Sequence, residues 1–240
     1  MATLTFAQIT PHIYKLDLPF LRGWLPVGVW LVHDDPGWTM VDAGAPSFEK
    51  TILQQVLAQT GGERPRRLIL THGHQDHAAT AQKIRDEWKA PIAAGRAEIP
   101  YLVGPARYAH IPSSFLPYRV LQISAPPLVG RNVQLPLDEG MRLDGLEVFH
   151  ATGHSPGMVA LLHHNDRALL CADVFTNFGG KLGDPPRPFT YDMALNRRAQ
   201  AKLAALDFDH LLVSHGPPIL NEGRTRAQAL VESREKKRKS

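Results

Sequence analysis

The sequence predicts an α/β fold: a four-layer αβ/βα sandwich of two mixed β-sheets flanked by helices. Three observations predict it. Short apolar runs of strand length alternate with segments of helical spacing. The alternation occurs twice, in the first hundred residues and again after residue 146, on either side of a proline-rich stretch. With 240 residues, 43% of them hydrophobic, the chain can bury an ordinary core.

Taken in order, residues 13–18 and 27–33 read as strands joined by a loop over 19–26. Residues 38–42 form a short strand stopped by Ala43-Gly44-Ala45-Pro46. Ser47 reads as a helix cap, and Ile52, Val56 and Leu57 follow at helical spacing until Gly61-Gly62 ends the run. Residues 67–70 are the next strand, 78–88 the next helix with Ile84 and Trp88 on one stripe, and 91–94 a brief strand. From 95 to 136, prolines at 100, 105, 112, 117, 126, 127 and 136 break any long element, so this segment reads as a cap insertion. Strands return at 146–150, 158–163 and 168–172. The last two are joined by His164-Asn165-Asp166-Arg167, whose Asn and Asp suit a hairpin turn. A Gly/Pro-rich loop spans 176–189. A helix over 191–206, a strand over 210–214 and a final helix over 224–234 complete the series. The whole reads as one domain over 1–240, ending in a basic tail at 232–240.

Composition narrows the function. The single cysteine, Cys171, excludes an internal disulfide and a Cys-rich zinc module, and it fits a reducing compartment. The first ten residues lack the pattern of a secretory signal, and no apolar run is long enough to span a membrane. The expectation is therefore a cytoplasmic protein with no membrane partner. The pI of 9.3 suggests nucleic acid at first sight. From Glu232 to Ser240, however, five cations meet two anions, so most of the net +4 sits in the tail and the body is nearly neutral. Backbone binding to nucleic acid needs clustered cations, so a nucleic-acid partner is not expected.

The densest chemistry lies in Thr71-His72-Gly73-His74-Gln75-Asp76-His77, which follows the strand at 67–70. Histidine and aspartate are ligands of borderline or hard divalent ions. Three more ligand-type residues recur at or just past strand ends: His154 in Thr152-Gly153-His154-Ser155-Pro156-Gly157, Asp173 after 168–172, and His215 before Gly216-Pro217. His72 and His74, two apart on an extended loop, can share one ion. Asp76 and His77 could serve a second. His154 could complete the first site and His215 the second, and Asp173, with two oxygens, could bridge. Two such ions can generate a hydroxide between them and polarise a carbonyl or phosphoryl oxygen, which is a hydrolytic device.

This pattern resembles the metallo-β-lactamase-fold superfamily, whose His-x-His-x-Asp-His motif is followed by a His, an Asp and a last His at strand ends. The match is at His72, His74, Asp76, His77, His154, Asp173 and His215, and Val41-Asp42-Ala43-Gly44 resembles the family's early strand and turn. The likeness runs from about Ile13 to Pro217. It implies two divalent metal ions, zinc by default, with iron or manganese fitting the same ligands. The well-known class B β-lactamases lack the bridging carboxylate. Glyoxalase II enzymes carry an extra C-terminal domain, for which the 25 residues after His215 are too few. Lactonases of this fold often place a tyrosine three residues after the bridging Asp, where Thr176 stands here. The nearest likeness is to small glyoxalase-like or lactonase-like hydrolases.

The expected function is thus a dinuclear metal-dependent hydrolase of a small ester, thioester or lactone, using a metal-bridging hydroxide. Asp76 has the catalytic part, orienting the nucleophile and shuttling its proton. The alternative from another class is a mononuclear iron oxidoreductase of the persulfide dioxygenase type, using positions such as His72, His154 and Asp173. The expected partner is a small-molecule substrate. The apolar loop Phe20-Leu21-Arg22-Gly23-Trp24-Leu25 reads either as a flap over the site or as a homodimer contact. Tyr101, Tyr108, Phe115 and Tyr118 of the cap suit a pocket wall or a small helical core. Asp42 reads as a turn former that can also hydrogen-bond the metal loop. His12, His33, His110, His163, His164 and His210 have no assigned role, His150 reads as a surface residue, and Cys171 as a buried structural thiol.

Overall fold

Two faces of every central strand carry apolar side chains, and that is why the strands end up between two layers. The computed structural model describes residues 4–20, 25–104, 106, 108, 129 and 133–239. Seven strands form one sheet in chain order: β1 (Ala7–Gln8), β2 (Ile13–Phe20), β3 (Leu25–Asp34), β4 (Gly37–Val41), β5 (Arg67–Leu70), β6 (Ile92–Gly95) and β7 (Val133–Leu137). The pairs from β1 to β4 are antiparallel, and those from β4 to β7 are parallel. Parallel neighbours need a crossover. Helix α1 (Glu49–Gln59) supplies it between β4 and β5, and α2 (Gln75–Ala78) with α3 (Ala81–Trp88) supply it between β5 and β6. A short helix α4 (Ile99–Val103) follows β6.

The second sheet has β8 (Arg142–Leu143), β9 (Leu146–His150), β10 (Val159–His163), β11 (Ala168–Ala172) and β14 (His210–Val213), in the order β14-β11-β10-β9-β8. Only its β11–β14 pair is parallel, and α5 (Met193–Ala204) makes that crossover. A small hairpin of β12 (Thr176–Phe178) and β13 (Lys181–Gly183) precedes it, and α6 (Gly223–Lys239) ends the described chain.

Side-chain alternation assigns the layers. On β5, Leu68 and Leu70 join Ile52 and Val56 of α1 and Ile84 and Trp88 of α3 in one core. Ile69, between them, turns the other way and meets Leu161, Leu170 and Leu212 of the second sheet. On β11 the same rule sends Leu169 and Cys171 toward Ala199 and Leu203 of α5. The result is the four layers the sequence predicts. Each fully buried Leu or Ile contributes about 1.5–3 kcal/mol. Such burial, rather than capping, holds α1, whose N-terminus has no side-chain cap.

Several local expectations are corrected. Ser47 is not a cap. Pro46–Phe48 form a 3-10 turn, closed by Phe48 N–H donating to Ala45 O at 3.0 Å. The helix expected over 78–88 is two helices, parted where the Thr80 hydroxyl donates to Ala43 O. The Gly/Pro-rich loop over 176–189 contains the β12–β13 hairpin, turned by Gly179 and Gly180 at φ 57° and 79°, and a 3-10 turn at Arg187–Phe189. The helix expected over 191–206 starts at Met193, because Asp192 caps it by accepting from the N–H groups of Ala194 and Leu195.

The loop expected over 19–26 is largely strand. Pro19 pairs with Pro26 and Phe20 with Leu25, leaving 21–24 as the connection. Leu21, Arg22, Gly23 and Trp24 lie outside the described residues, and so the flap and homodimer readings of that loop do too. The segment 95–136 opens with α4 and closes with β7, which extends the first sheet. Phe115 and Tyr118 lie outside the described residues. The final helix runs on to Lys239, and within the basic segment Arg234 is held by Gln200 and, at 2.8 Å, by Asp184. Among the described residues no helix is long and apolar enough to cross a membrane.

Candidate metal centre

All seven ligand-type residues lie just past strand ends, five in loops and Asp76 and His77 in the short helix α2. After β5 the chain stays extended through His74, at φ −69° and ψ 150°, and then turns into α2, whose first turn carries Asp76 and His77. His154 lies in the turn between β9 and β10. Asp173 follows a kink at Ala172, which has φ 49°. His215 follows β14, and the next residue, Gly216, has φ 110° and packs so tightly on the Asn177 carbonyl that a side chain would collide with it.

The side chains converge into three overlapping groups: His72 with His74 and His154, Asp76 with His77 and His215, and His72 and His77 with Asp173. Within each group the ligand-type atoms lie within 4.8 Å of one another. Asp173 stands between the first two. Its Oδ2 is 3.4 Å from His154 Nε2 and 3.1 Å from His215 Nε2, and its Oδ1 is 3.5 Å from His77 Nε2. Ligands around a tetrahedral ion bound at 2.0–2.1 Å stand about 3.3 Å apart. These spacings, and the 2.9 Å between His154 Nε2 and His74 Nδ1, are those of atoms arranged about a cation. The buried Nε2 atoms of His72 and His77 and Oδ1 of Asp173 make no hydrogen bond within the protein. Buried polar atoms left so are costly, and a divalent ion satisfies all three. The donor set therefore fits such ions.

The far sides of the rings are tied down. His77 Nδ1 meets Asp42 Oδ2 at 2.8 Å, His215 Nδ1 meets Pro26 O at 2.8 Å, and His154 Nδ1 meets Thr190 Oγ1 at 3.4 Å. His72 Nδ1 meets Thr71 Oγ1 at 3.1 Å. Such partners hold a proton on Nδ1 and aim Nε2 inward. Asp42 also accepts from Thr71 N–H at 2.8 Å, so the aspartate expected at this turn does bond the His-rich loop.

Burial holds His72 and His74 well below the usual imidazole range, and neighbouring histidines push the same way. Burial likewise lowers His154 to about 4. For His77 burial is outweighed by Asp173, Asp76 and Asp42, which raise it to about 9, and His215 is raised well above its usual value mainly by Asp173. Burial would raise Asp76 and Asp173, but the histidines beside them keep both ionised far below the usual carboxylate range. The centre thus offers neutral imidazoles at His72, His74 and His154, and on the other side the carboxylates of Asp76 and Asp173 paired with the raised His77 and His215. Asp76 alone of the seven is only partly buried, its side chain 13% exposed.

Sequence reasoning missed Glu98. It is fully buried and accepts from Gly73 N–H, Gly157 N–H, Ser155 O–H and Tyr108 O–H. No local pattern signals a residue whose partners lie 10 to 59 positions away. Lys15 was missed as well. Its buried ammonium donates to Gly216 O at 2.7 Å, just past His215. Cys171 is buried on the helix side of its sheet, and burial raises its thiol, so it is structural. His150 lies half exposed beside Leu137 O. His12 and His163 join Asp166 in a separate group. There Asp166 accepts from the Thr10 hydroxyl and from His12 N–H at 2.9 Å, and His163 Nε2 meets Asp34 Oδ1 at 3.0 Å.

Comparison with known proteins places this geometry. The family model described as "Metallo-beta-lactamase superfamily" matches residues 22–215. The "Probable metallo-hydrolase YybB" of Bacillus subtilis (strain 168) is 29% identical over 221 residues, covering 90% of this chain and 93% of that protein. The "Hydroxyacylglutathione hydrolase GloC" of Haemophilus influenzae is 26% identical over 158 residues, covering 62% of this chain and 68% of its own. Among solved structures, TTHA1623 "in a di-iron-bound form" superposes with a TM-score of 0.65 at 27% identity, covering 85% of this chain and 95% of that one.

Proposed function

We propose, starting from the fact that this chain belongs to the metallo-β-lactamase superfamily, that it is a metal-dependent hydrolase of a small ester, thioester or lactone. The observation that carries the reading is the pair of His/Asp groups with Asp173 between them. In this reading His72, His74 and His154 would hold one divalent ion and Asp76, His77 and His215 a second, and Asp173, placed between the groups, would serve both. Two ions so placed supply an activated water and polarise a carbonyl oxygen when bound.

The chain's own residues do the rest. Burial of the histidines and of Asp173 excludes bulk water from the reacting carbonyl. Asp76 reaches the open side of the site, where its carboxylate orients the attacking water and carries its proton to the leaving oxygen or sulfur. Asp42, Thr190 and the Pro26 carbonyl keep the rings in place while the charge changes. A relative named for hydrolysis of a hydroxyacylglutathione supports acyl cleavage. The near-neutral body supports a small substrate over a nucleic acid. Zinc is the default ion from the donor set, and a relative in a di-iron form supports iron in the same ligands. The close approach of Asp76, His77 and His215 favours two ions over the single iron of a persulfide dioxygenase.

Elemental analysis of the purified protein, followed by a screen of lactones, thioesters, esters, β-lactams and phosphodiesters on the same sample, tests the reading. Two ions per chain with turnover of an acyl substrate are expected. One iron per chain with oxygen consumption on a persulfide would overturn it.

A further inference from the structure

Glu98 is a buried carboxylate that touches none of the seven candidate ligands, yet it binds both loops that carry three of them. Its Oε1 accepts from Gly73 N–H at 2.9 Å, between His72 and His74, and from the Tyr108 hydroxyl. Its Oε2 accepts from Ser155 Oγ at 2.9 Å and Gly157 N–H at 2.7 Å, just past His154. One oxygen therefore serves each loop. The fit is close. A Cβ on Gly157 would collide with the Glu98 backbone, and one on Gly95 would collide with the Gly157 carbonyl. On the other side of the centre, Asp42 has the corresponding place, with Thr71 N–H on Oδ1 and His77 Nδ1 on Oδ2.

We propose that Glu98 is a positioning residue dedicated to one ion: it sets the spacing of the His72/His74 loop from the His154 loop, while Asp42 serves the ion held through His77. The proposal rests on the two-ion reading above. It predicts that the two affinities can be perturbed separately.

Glutamine is the discriminating substitution. All four groups facing Glu98 are donors. The two hydroxyls can rotate and accept instead, but the N–H groups of Gly73 and Gly157 cannot. A carboxamide must turn its NH2 toward one of them, so one loop loses its anchor with almost no change of volume. Loss of a partner that orients metal ligands typically costs about 10–100-fold in affinity.

The test is chelator competition with Zn2+ on metal-free full-length protein, with Co2+ absorption as a second readout of each site. In Glu98→Gln one stepwise affinity should fall about 10–100-fold, with the other changed less than about threefold and the cobalt bands of one site altered. The ion that remains should be lost when His215→Ala is added and kept when His154→Ala is added. Ser155→Ala, which removes one bond and leaves the buried charge in place, should weaken the same ion more mildly. It answers the question if Glu98→Gln does not fold. Equal loss of both affinities in these variants, or no loss in either, overturns the proposal. Wild-type protein that takes up fewer than two ions fails the underlying reading instead, and the proposal falls with it.

Discussion

Asp42→Asn tests the centre with almost no change of shape. Asp42 has φ 60°, a conformation asparagine adopts readily, so the backbone turn should survive. The amide oxygen can keep the 2.8 Å bond from Thr71 N–H, which leaves the NH2 group facing His77 Nδ1 where a carboxylate oxygen stood at 2.8 Å. Two donors then meet. With an ion on Nε2 the His77 proton must stay on Nδ1, so the two donors still face each other in the loaded site and weaken it. A hydrogen bond to a charged partner is worth about 1.5–3 kcal/mol, which corresponds to roughly a 10- to 150-fold change in a binding constant. The ion at Asp76, His77 and His215 should therefore bind about 10–100-fold more weakly, and the other ion within about threefold of its normal affinity. In the metal-free protein His77 should also titrate below about 9, because one of the carboxylates holding it there is gone. Chelator competition and histidine NMR read both effects. An unchanged affinity for that ion, with far-UV circular dichroism confirming the fold, would refute the argument that Asp42 sets the His77 tautomer.

Two other perturbations reach different parts of the structure. Asp173→Ala should keep the fold, lose one of two ions, and lower turnover by more than the roughly 10–100-fold typical of losing a ligand's partner; full occupancy by elemental analysis would remove its bridging role. Asp166→Asn should cost about 2–3 kcal/mol at pH 7, or roughly 4–12 °C in thermal midpoint, since it weakens bonds from Thr10 and His12 to a buried carboxylate. Burial would raise the pKa of Asp166, but those donors hold it below the usual range. The unfolded chain therefore binds more protons just below about pH 4, and the wild-type advantage should disappear as pH falls through the native value. A difference that persists undiminished at pH 2 would show that shape, not charge, is what Asp166 supplies.

Much of the fold was legible because its signals are local. The period of two in the strands, the Gly61-Gly62 stop after α1 and the Asn-Asp turn each lie within a few residues. The seven ligand-type residues stood out because few side chains bind ions and because each follows an apolar run. Asp42 was legible for the same reason, as a turn residue beside a strand. The misreadings have a common physical cause. Glycine and proline read as breakers over 176–189 and 19–26, yet Gly179-Gly180 turns a hairpin and Pro19 and Pro26 end paired strands. Glu98 and Lys15 were invisible because what defines them is a set of backbone groups brought from distant parts of the chain.

The origin of the candidate ligands has a mechanical consequence. His72, His74, Asp76 and His77 hang from the first sheet, and His154, Asp173 and His215 from the second. Any ion held among them is a cross-link between the two halves of the molecule, bound by the folded chain and by neither half alone. An ion at a hundred times its dissociation constant adds about 2.7 kcal/mol to folding stability, a sizeable part of the roughly 5–15 kcal/mol that holds a domain together. Metal supply would then govern how long this chain lasts as well as how fast it works: starved of ions, its halves separate more often, and proteolysis claims more of it.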